Sequence, residues 1–382
     1  MPHRSQTRPI PASREPLLLV AVDRAMHEMR CGRNVCIATA DGHAVLLSAV
    51  EGVTDESLHA LAQIAHATPY LAITARRAHV IGLGDPASAV VTLRMNEAFD
   101  ADTIVGISDP LSNTGDVVPA GIRTDEASAY DPASAAVGLA KIARLLPAAV
   151  LADINDPNAG DMAAWTRRHD IVMVDAGDIF QHEHTTARTL KIVSEARVPL
   201  EGAENTKIVA FRPLQGGLEH LAIVVGTPDP SEPCLVRLHS ECFTGDLLGS
   251  LRCDCGDQLR GAIAEIGRNG SGVLLYLAQE GRGIGLVNKL RAYALQDQGA
   301  DTIDANLQLG FDADERVYLP AQQMLKALKI DRIRLLTNNP DKVASLETFG
   351  IEVTERVQHT FPSNRYNEAY LQTKAKRSGH LF

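Results

Sequence analysis

Four of the six cysteines of this chain lie within one stretch of about 22 residues, at positions 234, 242, 253 and 255. A long chain without a secretory leader more often keeps its thiols reduced, or gives them to a metal, than forms disulfides. Cys242, Cys253 and Cys255 are spaced C-x10-C-x-C, and three thiolates are one ligand short of a closed structural zinc site. Because a catalytic zinc ion keeps its fourth position for water and lowers the pKa of that water to about 7, the spacing predicts a hydrolytic metal site.

Each candidate metal ligand in or near this cluster also has an interpretation in which it only stabilises the fold. The alternative for these three cysteines is that they are buried thiols that bind no metal. Cys234 lies in the strand-like segment CLVRLHS and is interpreted as a packing residue. His239, in the same segment, is either a fourth ligand or a histidine satisfied within the strand.

Length and composition bound the class of protein. The chain has 382 residues, enough for about two domains with cores of their own. Its 45% hydrophobic and 22% charged residues are typical of a soluble globular protein, and its apolar runs fall short of the ~20 residues of a membrane span. A net charge of −10 argues against a nucleic-acid-binding surface across the whole molecule. The polar, proline-rich residues 1–16 are expected to form a disordered leader on a cytoplasmic protein.

Alternating strand-like and helix-like segments predict two α/β domains. In the first half, VCIATA and VLLSAV flank the turn ADGHA and predict a hairpin. In the second half, three strand-like segments precede the cysteines, and further helices and strands follow them. A helical piece ending in Val-Pro joins the halves, so the expected domains are residues 17–195 and 196–382.

Three further motifs follow the cysteines, and each has two interpretations. In QEGRGIG, glycines at 281, 283 and 285 let backbone N–H groups approach an anion, although a tight turn explains them equally well. In LLTNNPDK, Thr337 at a strand end and Lys342 in a first helical turn indicate phosphate binding, or Asn-capping beside a solvated lysine. In LGFDADER, an acid beside a cation suits general-base chemistry, or forms a solvated turn.

In this order and spacing, the motifs resemble the GTP cyclohydrolase II family, from about Ile208 to the C-terminus. The matching segments are RLHSEC, SLRCDCG, QEGRGIG, NKLRAYALQDQG, LGFDADER and LLTNNPDK. The resemblance implies a zinc-dependent enzyme of riboflavin biosynthesis that hydrolyses GTP to a diaminopyrimidine ribosyl phosphate, formate and pyrophosphate. It also implies a mixed-sheet α/β domain, a homodimer, and Mg²⁺ bound with the triphosphate.

The resemblance further implies roles for individual residues. The zinc ligands would be Cys242, Cys253 and Cys255. The residues that fall where the family binds GTP are Arg237, Leu238, His239, Ser240, Glu241, Gln258, Glu280, Gly281, Arg282, Thr302, Thr337 and Lys342. Asp314 matches the proton acceptor, and Tyr293 a tyrosine placed at the reacting base. Arg316 matches the nucleophile toward the α-phosphate; since the pKa of arginine exceeds about 12, stabilisation of transition-state charge is the alternative role.

The first half resembles 3,4-dihydroxy-2-butanone 4-phosphate synthase, which implies a second mixed-sheet domain. That family needs an acidic, metal-binding segment after its first strand, where this chain has ATADGHAVLLSAVEG with only Asp41 and the distant Glu51. Its later histidine position reads YDPASAA, and its later glutamate position is Asp153. Because a divalent cation needs a cage of oxygen ligands, we expect a synthase fold without synthase activity, acting as a scaffold or in dimerisation.

Two other functions fit the same motifs. One is a cyclohydrolase II paralogue outside riboflavin synthesis, and the other is a non-catalytic nucleotide-binding regulator. The intact cysteines, Asp314 and Arg316 argue against the regulator, because mere binding would not need an open zinc position. No nucleic-acid or membrane partner is expected.

Overall fold

Two seven-stranded mixed sheets, one in each half of the chain, organise the computed structural model, which describes residues 14–94, 99–113 and 118–367. The predicted class, two α/β domains with mixed sheets and helices, is confirmed. Of the expected leader, residues 1–13 lie outside the described residues, and residues 14–16 already belong to the first helix. Across the described part of the chain, no helix combines the length and apolar character needed to cross a bilayer.

The first sheet carries helices on both faces. Its strands are β1 (Val35–Ala38), β2 (Ala44–Ala49), β3 (Tyr70–Thr74), β4 (Val90–Arg94), β5 (Arg123–Ala127), β6 (Ala148–Asp153) and β7 (Val172–Asp175). Its helices are α1 (Arg14–Arg30), α2 (Asp55–Ala65), α3 (Ala75–Val80), α4 (Ala101–Ser108), α5 (Pro132–Ile142), α6 (Met162–Arg168) and α7 (Ala176–Arg188). The strand order is β5-β4-β3-β6-β2-β1-β7, with β1 and β7 parallel and the other neighbours antiparallel. The expected hairpin is β1 and β2, paired from Val35↔Leu47 to Ala38↔Ala44.

The two faces of the first sheet have different partners. One face packs on α1, α5 and α7. On the other face, the core of the first half continues into the second half without a break. The side chains that the second half adds to this core are Ile284, Ala292, Leu295, Ala305, Leu309 and Phe311. Part of the hydrophobic core is therefore built from both halves of the chain.

The second sheet follows directly after α7. Its strands are β8 (Lys191–Arg197), β9 (Thr206–Arg212), β10 (His220–Val225), β11 (Cys234–Ser240), β12 (Gly272–Leu277), β13 (Arg332–Leu336) and β14 (Glu352–Val357). Its helices are α8 (Phe243–Asp246), α9 (Cys255–Asn269), α10 (Leu286–Asp297), α11 (Thr302–Gln308), α12 (Leu319–Ala327) and α13 (Pro340–Thr348), with a 3₁₀ turn at Glu280–Gly283. The strand order is β14-β13-β11-β12-β10-β9-β8.

The expected boundary between residues 195 and 196 falls inside β8. This strand pairs with β9 from Lys191↔Arg212 to Arg197↔Lys207, so all of it belongs to the second sheet. We therefore propose a division near residue 190, between α7 and β8. The helical piece expected to end in Val-Pro is wrong in its last part, because Lys191–Arg197 form this edge strand. The hydrophobic residues Ile192 and Val193 of the strand are exposed.

Parallel pairing in the second sheet positions the candidate site. Strands β11, β12 and β13 are neighbours and run parallel, whereas β8, β9 and β10 are antiparallel additions on the β12 side. The carboxyl ends of β11, β12 and β13 therefore meet at one edge, the usual place for a ligand in such a sheet. The segments that leave this edge begin at residues 241, 278 and 337.

Candidate active site

One cavity at this edge collects most of the residues singled out in the sequence. The predicted residues that line it are Arg237, His239, Ser240, Glu241, Cys242, Cys253, Cys255, Gln258, Glu280, Gly281, Arg282, Tyr293, Thr302, Arg316, Thr337 and Lys342. They come from β11, α9, the loop after β12, α10, α11 and the loops before α12 and α13. The fold thus brings together motifs that are far apart in the sequence.

The three cysteines form the one group among the described residues whose donor atoms suit a metal ion. Each offers a sulfur, all three sulfurs lie within 4.8 Å of one another, and those of Cys242 and Cys253 are 3.7 Å apart. Gly245 leaves space for them, because a Cβ there would lie 2.8 Å from the Cys253 sulfur and 3.0 Å from the Cys242 sulfur. Three soft sulfur ligands, in the space that Gly245 leaves open, fit a zinc ion.

Neighbouring groups favour thiolate chemistry at Cys242. Hydrogen bonds from the thiols of Cys253 and Cys255 lower its pKa, and the charge of Lys289 lowers it further. The Lys289 ammonium donates to the Cys242 sulfur over 3.1 Å. Since the thiolate is the metal-binding form of cysteine, this environment prepares the residue for a metal.

Lys289 is a buried cation that the sequence reasoning missed. It reaches the Glu280 carboxylate at 2.7 Å and the Thr244 hydroxyl at 3.1 Å. Burial opposes its charge, but the Cys242 thiolate and Glu280 outweigh burial and raise the pKa of Lys289. Glu280, only 3% exposed, also accepts the backbone N–H of Phe243 at 2.6 Å. These bonds tie the loop after β12 to the first zinc-ligand candidate.

Two buried cations also line the cavity, and together with the first turn of α13 they form its cationic wall. Arg237 is buried, donates to the Leu336 carbonyl at 2.8 Å and hydrogen-bonds Gln258, and burial lowers its pKa to about 10. Lys342 is also buried and donates to the carbonyl of Leu238 at 3.0 Å. It lies in the first turn of α13, where Asn339 caps the helix by accepting the N–H of Asp341. Helix N–H groups and cations at one wall are suited to a polyphosphate.

Asp314 and Arg316 form a close ion pair, of which Arg316 lines the cavity. The Arg316 guanidinium donates to both Asp314 carboxylate oxygens, one of them over 2.8 Å. Partial burial by itself raises the pKa of Asp314, but the hydrogen bonds and charge of Arg316 outweigh it and hold that pKa below its usual value. The Asp314 carboxylate is therefore ionised at neutral pH and able to accept a proton.

Comparison with known proteins decides the family. The family model described as GTP cyclohydrolase II matches residues 191–358. The protein named GTP cyclohydrolase-2 of Azospirillum brasilense is 56% identical over 365 residues, which cover 95% of this chain and 94% of that protein. This chain belongs to the GTP cyclohydrolase II family. The resemblance of the second half predicted from the sequence is confirmed.

The similarity to relatives of this family extends through both halves of the chain. The riboflavin biosynthesis protein RibBA of Synechocystis sp. is 35% identical over 398 residues, covering 94% of this chain and 71% of that protein. Among solved structures, a two-domain 3,4-dihydroxy-2-butanone 4-phosphate synthase from A. baumannii matches 89% of this chain and 99% of its own chain, at 17% identity and a TM-score of 0.38.

Two of the residues predicted from the family pattern do not line the cavity. Leu238 is 1% exposed and packs in the core of the second sheet, because successive side chains of a strand point to opposite faces and both of its neighbours face the site. It contributes its carbonyl, which holds Lys342. Asp314 lies outside the lining and bonds the lining residue Arg316.

The contacts of His239 and Cys234 bear on the interpretations given for these two residues. His239 lies 3.0 Å from Asp246 and stacks on Tyr276, and the metal-suited group does not include it. Burial lowers its pKa, so the ring is neutral. Cys234 is buried in the core of the second sheet, as predicted. Only Nε2 of His239 is bonded, to Asp246, whereas Nδ1 is buried without a hydrogen-bond partner.

Eight further residues line the cavity, although the resemblance assigned them no role; all but Asn306 lie within the matching segments. They are Arg252, Ile284, Lys289, Ala292, Gln296, Asn306, Asn338 and Asn339. Arg252 lies over the Tyr293 ring at 5.1 Å, and burial raises the pKa of Tyr293, which keeps its phenol protonated. A spacing signal for Lys289 existed, since it is four residues before Tyr293 on α10 and so shares its face.

Proposed function

We propose that this chain hydrolyses GTP to a diaminopyrimidine ribosyl phosphate, formate and pyrophosphate, as the first step of riboflavin biosynthesis. The observation that carries the proposal is the convergence, in one cavity, of a three-sulfur cluster and a cationic wall. The sulfur cluster suits attack of water on an electrophilic carbon, and the cationic wall suits a triphosphate. Both are needed for a reaction that opens a purine ring and cleaves a phosphoanhydride.

The proposed cofactor is one zinc ion held by Cys242, Cys253 and Cys255. When bound, it supplies a Lewis acid that lowers the pKa of a coordinated water. Lys289 and Gly245 support this site, one by stabilising the Cys242 thiolate and the other by leaving room for the sulfurs. Mg²⁺ is proposed to accompany the triphosphate and to neutralise the leaving pyrophosphate.

The other site residues divide into binding and proton-transfer groups. Arg237, Lys342 and the first turn of α13 bind and orient the phosphates. Water adds at C8 of guanine, the imidazole ring opens, and a second hydrolysis releases formate. Asp314 accepts a proton in these steps, and protonated Tyr293 donates a hydrogen bond near the base. A further water attacks the α-phosphorus and displaces pyrophosphate, and Arg316 stabilises the charge that develops there.

The first half is proposed to lack synthase activity. Its three remaining acids at the corresponding positions already have partners. Asp153 contacts Arg94 at 3.3 Å and the Tyr70 hydroxyl at 3.1 Å, Glu51 accepts the N–H of Leu146 at 2.7 Å, and Asp41 accepts from Thr39. A cation and a backbone donor thus occupy positions where a divalent metal would need free carboxylate oxygens.

A homodimer and a cytoplasmic location remain predictions of the sequence. An exposed apolar surface supports self-association: its members are Leu247, Leu248, Leu251, Val287 and Leu290. They lie on the loop after α8 and on α10, two elements joined by the Lys289–Thr244 and Arg252–Asp297 contacts. Reduced thiols at the proposed zinc site agree with a reducing compartment.

Purified chain loaded with zinc is expected to release formate from GTP in the presence of Mg²⁺, with pyrophosphate and the diaminopyrimidine as the other products. The same sample should form no product from ribulose 5-phosphate, because the carboxylates of the first half are already bonded. Formate and pyrophosphate assays measure the outcome. Absence of turnover at full zinc occupancy would instead favour a nucleotide-binding regulator, and product formation from both substrates would overturn the proposal for the first half.

Gly245→Ala is expected to weaken zinc binding about 10- to 100-fold, the usual effect of disturbing the support of metal ligands. The added Cβ would lie 2.8 Å from the Cys253 sulfur and 2.9 Å from the Cys255 Cβ, so the ligands must move apart. Competition with a chelator measures the affinity. Gly160→Ala is the matched control, because a Cβ there meets nothing within 4 Å. Equal zinc affinity in the two variants would contradict the assignment of this cradle.

A further inference from the structure

Cations from the first half hold the segment that carries Asp314 and Arg316. Lys141, at the end of α5, contacts the Glu315 carboxylate at 2.7 Å, across 174 residues of sequence. It also lies 3.7 Å from Asp312, whose other carboxylate oxygen is 3.2 Å from Arg76. Two cations of the first half therefore bind the residues on either side of Asp314.

The start of the same segment is fixed by buried contacts. The Thr74 hydroxyl donates to the Gly310 carbonyl at 2.7 Å, and Arg77 donates to the Gln308 carbonyl at 3.1 Å. Gly310 has a φ of +89°, and a Cβ there would lie 2.9 Å from the Thr74 hydroxyl and 3.1 Å from Pro147. No side chain fits between the halves at this point, so the backbone of the segment rests directly on the first half.

The other side of the segment is bound to the glycine-rich loop of the second half. The Glu315 N–H donates to the Arg282 carbonyl at 3.0 Å, and the Arg282 guanidinium donates to the Ala313 carbonyl at 3.0 Å. A Cβ at Gly283 would lie 2.8 Å from the Glu315 carbonyl oxygen. Residues 308–315 are thus held between the two halves, with the proton acceptor and its arginine at the end.

We infer that Lys141 is a positioning residue for the cyclohydrolase site: through Glu315 it fixes the place of Asp314 and Arg316. The inference rests on the proposed function and extends it to a residue of the half that lacks the synthase carboxylates. Glu315 stands between Asp314 and Arg316 in the chain, and its carboxylate also accepts the N–H of Asp312 at 2.8 Å. Without the Lys141 cation, Glu315 would no longer hold residues 312–316 in place, and Asp314 would lose its alignment. Small misplacements of reacting groups slow catalysis strongly.

The test compares the full-length, zinc-loaded chain with Lys141→Met. We expect kcat for formate release to fall about 10-fold or more while KM for GTP stays within about 2-fold and bound zinc is unchanged. Lys141→Arg should restore most of the rate, because it keeps a cation opposite Glu315. Lys141→Met/Glu315→Gln should be about as slow as Lys141→Met, because both changes remove one contact. Arg33→Met is the control, since the partner of Arg33, Glu28, lies within the first half.

Hydrogen–deuterium exchange gives a second readout that does not depend on activity. Amides of residues 312–316 should exchange faster in Lys141→Met than in the unaltered chain and in Arg33→Met. An unchanged kcat together with unchanged exchange would overturn the inference, and so would a fall in thermal stability with no change in kcat per folded molecule. If the unaltered chain released no formate, the proposed function would fail, whereas faster exchange would still support the anchoring by Lys141.

Discussion

Replacement of Cys253 by serine is expected to abolish formate release from GTP and to remove the zinc ion, with the fold largely kept. The Cys253 sulfur is 3.7 Å from that of Cys242, and a hydroxyl is a far poorer ligand for zinc than a thiolate. Only two sulfur ligands would remain, one fewer than the three protein ligands that a catalytic zinc site uses. Metal content per chain, formate release and circular dichroism measured on one preparation separate loss of metal from loss of fold.

The matched control for this variant is Cys31→Ser. Cys31 is exposed and belongs to no metal-suited group among the described residues. It should keep full zinc occupancy and full turnover. If Cys253→Ser retained the turnover of this control, the zinc assignment would be refuted, whatever its metal content.

Asp314→Asn is expected to lower kcat about 10²- to 10⁴-fold, the range typical of a lost general acid–base group. Zinc content should stay unchanged, because Asp314 lies outside the sulfur cluster and bonds Arg316 instead. Initial rates over a range of GTP concentrations measure kcat and KM separately. Asp257→Asn, which alters an exposed acid paired with Arg260 on α9, is the control and should behave as the unaltered chain. A loss confined to KM would show that Asp314 acts in binding alone.

The pH dependence of the rate should reflect the ion pair between Asp314 and Arg316. Because Arg316 holds the pKa of Asp314 below its usual value, this carboxylate stays ionised as the pH falls through the range in which an ordinary aspartate takes up a proton. Arg316→Met removes the hydrogen bonds and the charge, so partial burial then raises the pKa. The acidic limb of the rate profile of Arg316→Met should therefore lie at higher pH than that of the unaltered chain. An unshifted acidic limb would mean that it does not report Asp314.

Local sequence patterns predicted those parts of the site that lie close to a single element. Thr337 directly follows β13 and Lys342 lies in the first turn of α13, where the strand-turn-helix pattern put them. The family pattern is continuous through β11 and so includes Leu238, whereas strand alternation predicts that this side chain faces away from the site. Its side chain faces the core because each of its neighbours faces the cavity.

The contacts that lie far apart in sequence had no such signal. Lys289 reads as one more basic residue on an amphipathic helix until α10 is placed against the cysteines. The Lys141–Glu315 contact joins two residues in different halves, and nothing local to either predicts the partner. The division near residue 190 likewise depends on which sheet β8 joins, which hydrophobic periodicity alone does not decide.

The core shared by the two halves bears on how such a chain can change in evolution. Ile284 and Phe311 of the second half are buried among side chains of the first sheet. A half without activity of its own, as proposed for the first half, is normally free to be lost, but deletion here would expose this apolar face and release the segment ahead of Arg316. Selection for the cyclohydrolase reaction would then preserve both halves, because the second half is built against the first.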